Sequence, residues 1–258
     1  MRSPSPAPTQ AALYACAIRL GDNNLILGQQ LARWIGHSPE LEEELGTANV
    51  VLDLIGHARV WLTLAGEIEG LNRSEDELAF FRDSRDFHNL LLVEQPNGDF
   101  ADTITRQFLY DAWHRLYLAE LRGSQDARIS AIAQKAATEV EYHLQRSREW
   151  VVRLGDGTAL SHDKMVAALE RVWRFTGELF EDDETDRELA AAGIAPLPST
   201  LHAAWQAEVM RTLERATLSP PENVFMHSGG KCGRHGEQHS YILAEMQALP
   251  RMYPGATW

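Results

Sequence analysis

The chain has 258 residues, with 24 Lys plus Arg against 37 Asp plus Glu and a formal charge of −13. That surplus of acid argues against nucleic acid as a partner, because phosphates want a basic face. Hydrophobic residues make up 44% and charged residues 24%, the balance of an ordinary globular protein able to bury a core in one or two domains. No run approaches the roughly 20 consecutive apolar residues of a membrane span. The start, Met1-Arg-Ser-Pro-Ser-Pro-Ala-Pro-Thr9, lacks the apolar centre of a signal peptide. Residues 1–9 therefore read as a flexible leader on a cytoplasmic protein. Cys16 and Cys232 lie far apart and neither sits in a local pair, which is no disulfide framework and suits a reducing compartment.

From Gln10 to Gly155 the apolar residues recur in steps of three and four, with almost no alternation, so this half is predicted all-α. A first helix covers Gln10 to Ile35, with room for a bend at Gly21-Asp22, and Gly36-His37-Ser38-Pro39 stops it. A second starts near Pro39, gathers Glu40 and Glu42 to Glu44 at the positive end of its dipole, and runs to Glu69 before Gly70. A shorter polar helix is expected over Glu75 to Leu92, then a turn at Gln95-Pro96-Asn97-Gly98-Asp99 whose last residue caps Phe100 to Leu121. A long helix from Asp126 to Leu154 closes at Gly155-Asp156-Gly157. Four long segments with a crossover helix between the second and third are the connectivity of ferritin-like four-helix bundles.

Further helices are expected from Ser161 to Phe180, Ser199 to Thr217 and Glu237 to Leu249, with an extended tail from Pro250 to Trp258. The acidic run Glu181-Asp182-Asp183-Glu184 reads as a solvated helix junction. No repeat or long linker appears, so residues 10–258 are read as one ferritin-like helical domain with accessory C-terminal helices. Most of the seven tryptophans belong to the core. Trp258, ending the tail, suits a subunit contact.

Two helices repeat one arrangement, Asp53-Leu-Ile-Gly-His57 and Glu139-Val-Glu-Tyr-His143, each an acid four positions before a histidine. Helical spacing places Glu139 and His143 on a stripe with Ile132, Ala136, Ser147, Trp150 and Leu154. Asp53 and His57 fall with Leu45, Asn49, Val60 and Leu64. Charges inside a core need partners or a metal. Di-iron carboxylate bundles take a Glu from each of two helices and Glu-x-x-His from two others. Here the spacing is one residue longer, one acid is Asp, Asp111 is the third helix's contribution, and Asn23 to Ile35 contain no acid, with Gln29 and Gln30 where a ligand would stand. A neutral amide is a weak iron ligand, so the five residues Asp53, His57, Asp111, Glu139 and His143 read as a relic polar cluster pairing across the core. No residue is assigned as catalytic, cofactor-binding or metal-binding. A second grouping, Cys232, His235 and His239 with His227 upstream, offers zinc-type ligands without paired spacing, and reads instead as a Gly-rich turn before the last helix.

The segments Leu20-Gly-Asp-Asn-Asn-Leu-Ile-Leu-Gly-Gln29, Trp34-Ile-Gly-His-Ser-Pro39, Ala48-Asn-Val-Val-Leu-Asp-Leu-Ile-Gly-His-Ala-Arg59, Asp86-Phe-His-Asn-Leu90, Glu139-Val-Glu-Tyr-His143 and Tyr253-Pro-Gly-Ala-Thr-Trp258 resemble the C subunits of the multicomponent phenylacetyl-CoA 1,2-epoxidase. The resemblance covers nearly the whole chain. It implies a non-catalytic ferritin-like subunit that pairs with and stabilises the di-iron catalytic A subunit in aerobic phenylacetate catabolism, as a heterodimer or higher oligomer with the other subunits of the complex. It also implies no cofactor in this chain, with iron, NADPH and the flavin and iron-sulfur groups in partner subunits, and neither nucleic acid nor membrane as partner. The alternative is a self-sufficient di-iron oxygenase or metal-binding protein using those same five residues.

Overall fold

A computed structural model describes residues 9–38 and 40–256. The leader at 1–8, Pro39 and the closing Thr257 and Trp258 lie outside the described residues, and with them the expectations placed there. Among the described residues the chain forms α-helices joined by short 3-10 turns, with no strand. The helices are α1 (Gln10–Ala32), α2 (Leu41–Glu69), α3 (Glu75–Phe80), α4 (Phe100–Leu121), α5 (Ala127–Gly155), α6 (Ala159–Val172), α7 (Glu184–Ala191), α8 (His202–Arg215) and α9 (Glu237–Met252). None is long and apolar enough to cross a membrane. The chain divides into two compact units, one of residues 13–96 and 229–256, the other of 97–228 with the first turn of α1.

In the first unit α1 runs through Gly21-Asp22 as unbroken helix, contrary to the expected bend. Gly21 is needed for close approach: a Cβ there would lie 2.7 Å from Leu62 Cδ2 of α2, and one at Gly28 would lie 2.9 Å from Ile55 Cδ1. α2 ends where expected, on Gly70 in the left-handed conformation (φ 73°), whose N–H bonds back to Gly66 O.

The helix expected over 75–92 is a single short helix, α3, started by a reciprocal capping box between Ser74 and Glu77. It stops at Phe80 because the following backbone is claimed by polar side chains of α1. The His88 N–H donates to Asp22 Oδ2 (2.9 Å) and the Leu90 N–H to Asn23 Oδ1 (2.7 Å). Gln30 Nε2 donates to the carbonyls of Glu94 (2.9 Å) and Gln95 (3.0 Å). A segment whose backbone groups are satisfied from outside has no need of helical bonds. At its head Arg82 forms a buried ion pair with both oxygens of Asp22, donates to Leu78 O and to Asp86 O (2.8 Å), and stacks 4.1 Å from the Phe87 ring centroid. α9 closes over this crossover: Gln247 Nε2 donates to Ala79 O (3.2 Å) and Arg82 O (3.0 Å), and Arg251 to Phe80 O (3.1 Å). That anchoring carries α9 past Pro250 to Met252, where an extended tail was expected.

In the second unit Asp99 caps α4, accepting from the N–H groups of Ala101 and Asp102, and Asp126 caps α5. α6 begins one turn before the expected Ser161, with Thr158 as cap and Ser161 as its capping-box partner, and ends at Val172 in two 3-10 turns. The acidic run at 181–184 is a capping junction rather than a merely solvated one. Asp183 caps the unforeseen α7, and Asp182 accepts from the N–H (2.9 Å) and hydroxyl (2.6 Å) of Ser199. α8 is tied to α4 by Trp205 Nε1 donating to Leu109 O (3.0 Å) and to α5 by Arg148 with Glu208 (3.0 Å).

The Asp22–Arg82 pair is almost wholly buried, so breaking it by one substitution strands a charge. Arg82→Met is expected to cost about 3–5 kcal/mol. In a urea-unfolding double-mutant cycle with Asp22→Asn, a coupling of about 1–3 kcal/mol is expected; simple additivity would show that the pair does not hold the crossover.

Candidate functional site

The unit formed by α4 to α8 contains one half of the expected cluster. Asp111 of α4 is buried, and each of its oxygens is committed: Gln107 Nε2, one turn earlier, donates to Oδ1 (2.6 Å), and the Ser147 hydroxyl of α5 donates to Oδ2 (2.8 Å). Burial pushes the Asp111 carboxyl up to about 6, against the opposing pull of His143, Ser147 and Gln107. His143 is buried beside it, while Glu139 sits only half-buried. The buried line of α5 is Ile129, Ala133, Ala136, Val140, His143, Ser147 and Val151, so the expected stripe is displaced by one position, with Ile132, Glu139, Trp150 and Leu154 at its edge. Along the same helix Tyr110 and Trp113 are also buried, and Trp113 stacks on Tyr117 with centroids 5.0 Å apart.

The other half of the cluster lies on α2, where His57 is buried and Asp53 half-buried. The expected α2 stripe does not hold together as one face: Leu64 is buried, whereas Leu45, Asn49 and Val60 are exposed. The cause is geometric. Steps of four drift by about 40° each on a helix of 3.6 residues per turn, so a row of fours winds around the helix instead of following one side. The first helix does carry one acid outside the stretch 23–35, Asp22, and the fold gives it to Arg82. Gln30 is fully used as well, since its Nε2 holds two crossover carbonyls and its Oε1 accepts from Arg33 (2.9 Å).

Two of these acids are already committed to protein partners. A bridging carboxylate needs its oxygens free for metal, and Asp111 already serves two donors while Asp22 is neutralised by a guanidinium.

The histidine-rich turn before α9 folds differently from the zinc arrangement weighed for it. Cys232 is exposed, and His227 belongs to the other unit, where it stacks on Phe175 (5.3 Å). His235 and His239 come together with Glu94, a residue from the crossover far away in sequence, and one ligand atom from each lies within 4.8 Å of the others. The two rings are stacked, 3.9 Å apart at 14°. A shared ion would have to lie in both ring planes at bonding distance, which stacked planes do not allow, so the arrangement suits a proton. His235 lies between two acceptors, Glu94 Oε2 at 2.8 Å from Nδ1 and Phe87 O at 2.9 Å from Nε2, an arrangement that favours a proton on each nitrogen. Burial pulls its pKa down, but the Glu94 carboxylate and the Phe87 carbonyl outweigh it and the net shift is upward. His239 is held down to about 3 by burial, then by the neighbouring His235 and Arg82 charges, and stays neutral with Nδ1 2.9 Å from the Ser84 hydroxyl. The Gly236 N–H donates to Glu94 Oε1 (2.7 Å), and Gly233 must be glycine: its φ is 72° and a Cβ would lie 2.2 Å from Arg85 O.

A sequence profile described as "Phenylacetic acid catabolic protein" matches residues 1–258. The chain is also 52% identical, over 95% of its own length and 99% of the relative's, to the C subunit of the 1,2-phenylacetyl-CoA epoxidase of Escherichia coli (strain K12). The chain belongs to the phenylacetic acid catabolic protein family. The resemblance read from the sequence is thereby established, and with it an all-α, ferritin-like fold whose long hairpins α1–α2 and α4–α5 are joined through the crossover.

Three members of these polar groups escaped the sequence reading. Asp22 stands in the quoted Leu20-Gly-Asp-Asn-Asn segment but lacked a visible partner, Arg82 was an ordinary base in a polar stretch, and Glu94 lay between the expected helix end at Leu92 and the turn at Gln95. Only the adjacency of acid and amide at 22–24 could have flagged the first.

The Asp111 carboxyl binds its proton more tightly folded than unfolded, from the ordinary 3.8 to about 6. Between those values the folded state holds more proton, so stability falls as pH rises from about 4 to about 6 and the deficit persists above. Asp111→Asn removes the charge and keeps an amide for Gln107 and Ser147. It is expected to stabilise the chain by about 1–3 kcal/mol at pH 7.5 and by little at pH 4, read by urea unfolding at both pH values. Destabilisation at pH 7.5 would show that the ionised carboxylate is required.

Proposed function

We propose that this chain is the non-catalytic structural subunit of a phenylacetyl-CoA 1,2-epoxidase complex, pairing with and stabilising the di-iron catalytic A subunit in aerobic phenylacetate catabolism. The observation that carries the reading is the commitment of Asp111: the one fully buried acid of the α4–α5 hairpin spends both oxygens on Gln107 and Ser147. The sequence adds support, because 23–35 on the first helix contains no acid. So does the relative, which bears the name of a subunit and covers nearly the whole chain.

In this reading iron belongs to the A subunit, and NADPH with the flavin and iron-sulfur groups to the reductase, while this chain contributes a rigid helical scaffold in the cytoplasm. Its own polar residues orient one another and bring no cofactor. The self-sufficient di-iron reading would place Asp53, His57, Asp111, Glu139 and His143 on metal, and the hydrogen bonds on Asp111 argue against it.

Reconstitution tests the proposal. The iron-loaded chain alone, given phenylacetyl-CoA and the reductase with NADPH, is expected to consume no oxygen, and adding the A subunit is expected to start consumption. Oxygen uptake by the chain without the A subunit would overturn the structural role.

A further inference from the structure

Between Leu45 and Thr63 the exposed positions of α2 are Leu45, Asn49, Leu52, Gly56, Arg59, Val60 and Thr63, a spacing of about one per turn apart from the adjacent Arg59 and Val60. Steps of three and four keep these neighbours on a continuous outward stripe. Apart from Arg59 its large side chains are apolar, with Leu52 69% exposed, Leu45 59% and Val60 40%, and Leu41 extends it at 69%. A Cβ at Gly56 would meet nothing within 4 Å, so the stripe has an open notch at its middle where a second helix backbone can approach closely. Three leucines on one outward side of a single helix are more than the scattered surface leucines of an isolated chain.

The charges along α2 decide what covers it. The helix carries Glu42, Glu43 and Glu44 at its start, Asp53 in the middle, and Glu67 and Glu69 at its end, against Arg59 as its sole arginine or lysine. A second copy laid parallel would set the three glutamates of one chain on those of the other. Laid antiparallel, it would set them on the exposed Glu67 and on Glu69, which Arg73 already holds. Either orientation brings like charges together on a chain already at −13. A complementary occupant has the same apolar stripe with lysine and arginine along its edges.

We propose that the outward stripe of α2, centred on Leu52 and Gly56, is the docking surface for a helix of a different, basic-edged subunit; this rests on the subunit reading above and names the surface it uses. Helix packs on helix across the notch at Gly56, the leucines fill the grooves of the partner, and the flanking acids steer it and fix its orientation.

The test measures affinity between the full chain and the purified catalytic A subunit for the unaltered protein, Leu45→Asp, Leu52→Asp and, as a control elsewhere, Leu160→Asp, whose side chain is also 68% exposed. Leu45→Asp and Leu52→Asp are expected to weaken binding at least about tenfold, chiefly by faster dissociation, with unchanged thermal midpoints because both residues are exposed. Leu160→Asp is expected to bind normally, and raising the salt is expected to weaken the unaltered pair several-fold. Equal binding by all three variants would overturn this surface while leaving the subunit reading intact. A homodimer that Leu52→Asp dissociates would overturn the assignment to a foreign, basic helix. Failure of the unaltered chain to bind the A subunit would refute the subunit reading itself and this surface with it.

Discussion

The buried pair of Asp22 and Arg82 organises its unit from the inside. An acid in the middle of α1 is costly in an apolar core unless fully partnered. Here a guanidinium takes both oxygens and the His88 N–H adds a third donor. With Asp22 satisfied, Asn23 and Gln30, on the same helix, take the next backbone groups of the crossover, so residues 82–95 are held by side chains and two short 3-10 turns rather than by a continuous α-helix. The charge then propagates outward. Arg82 packs on Phe87, Phe87 offers its carbonyl to His235, and Glu94, fixed by Asn89 and the Gly236 N–H, supplies the counter-charge that raises the proton affinity of His235. One α1 acid thus decides where the crossover lies, and the crossover decides where α9 begins.

The same economy governs the other polar groups of the long helices. On the first helix Asp22 is given to arginine, and Gln30 serves backbone carbonyls. On α4, Asp111 keeps its burial and a raised proton affinity but answers to an amide and a hydroxyl. Polar groups inside a bundle need not be catalytic to be retained, since each is costly only when unpaired. Here they hold elements in place.

The long helices were legible because their signals are local. Gly70 as a stop and Asp99 as a cap act within a turn of their own position, and the structure places them as read, while Asp126, read as the start of its helix, caps it. The crossover and the His235 cluster were not legible because their determinants act across the fold: nothing near residues 81–94 announces that Asp22, Asn23 and Gln30 will take their backbone groups, and Glu94 meets His235 from 141 positions away. The side-chain stripes were half legible. Spacing put His143 inside correctly, yet it put Asp53 on a row of fours that winds from exposed Leu45 to buried His57.

The proposed structural role requires that the acids and histidines of the long helices leave no di-iron centre in this chain. Elemental analysis of iron per chain, on protein purified alone after expression in iron-supplemented medium, tests it most directly. The account predicts iron near zero. About two irons per chain, lost together on Asp111→Asn, would contradict it and make this chain an oxidising centre in its own right.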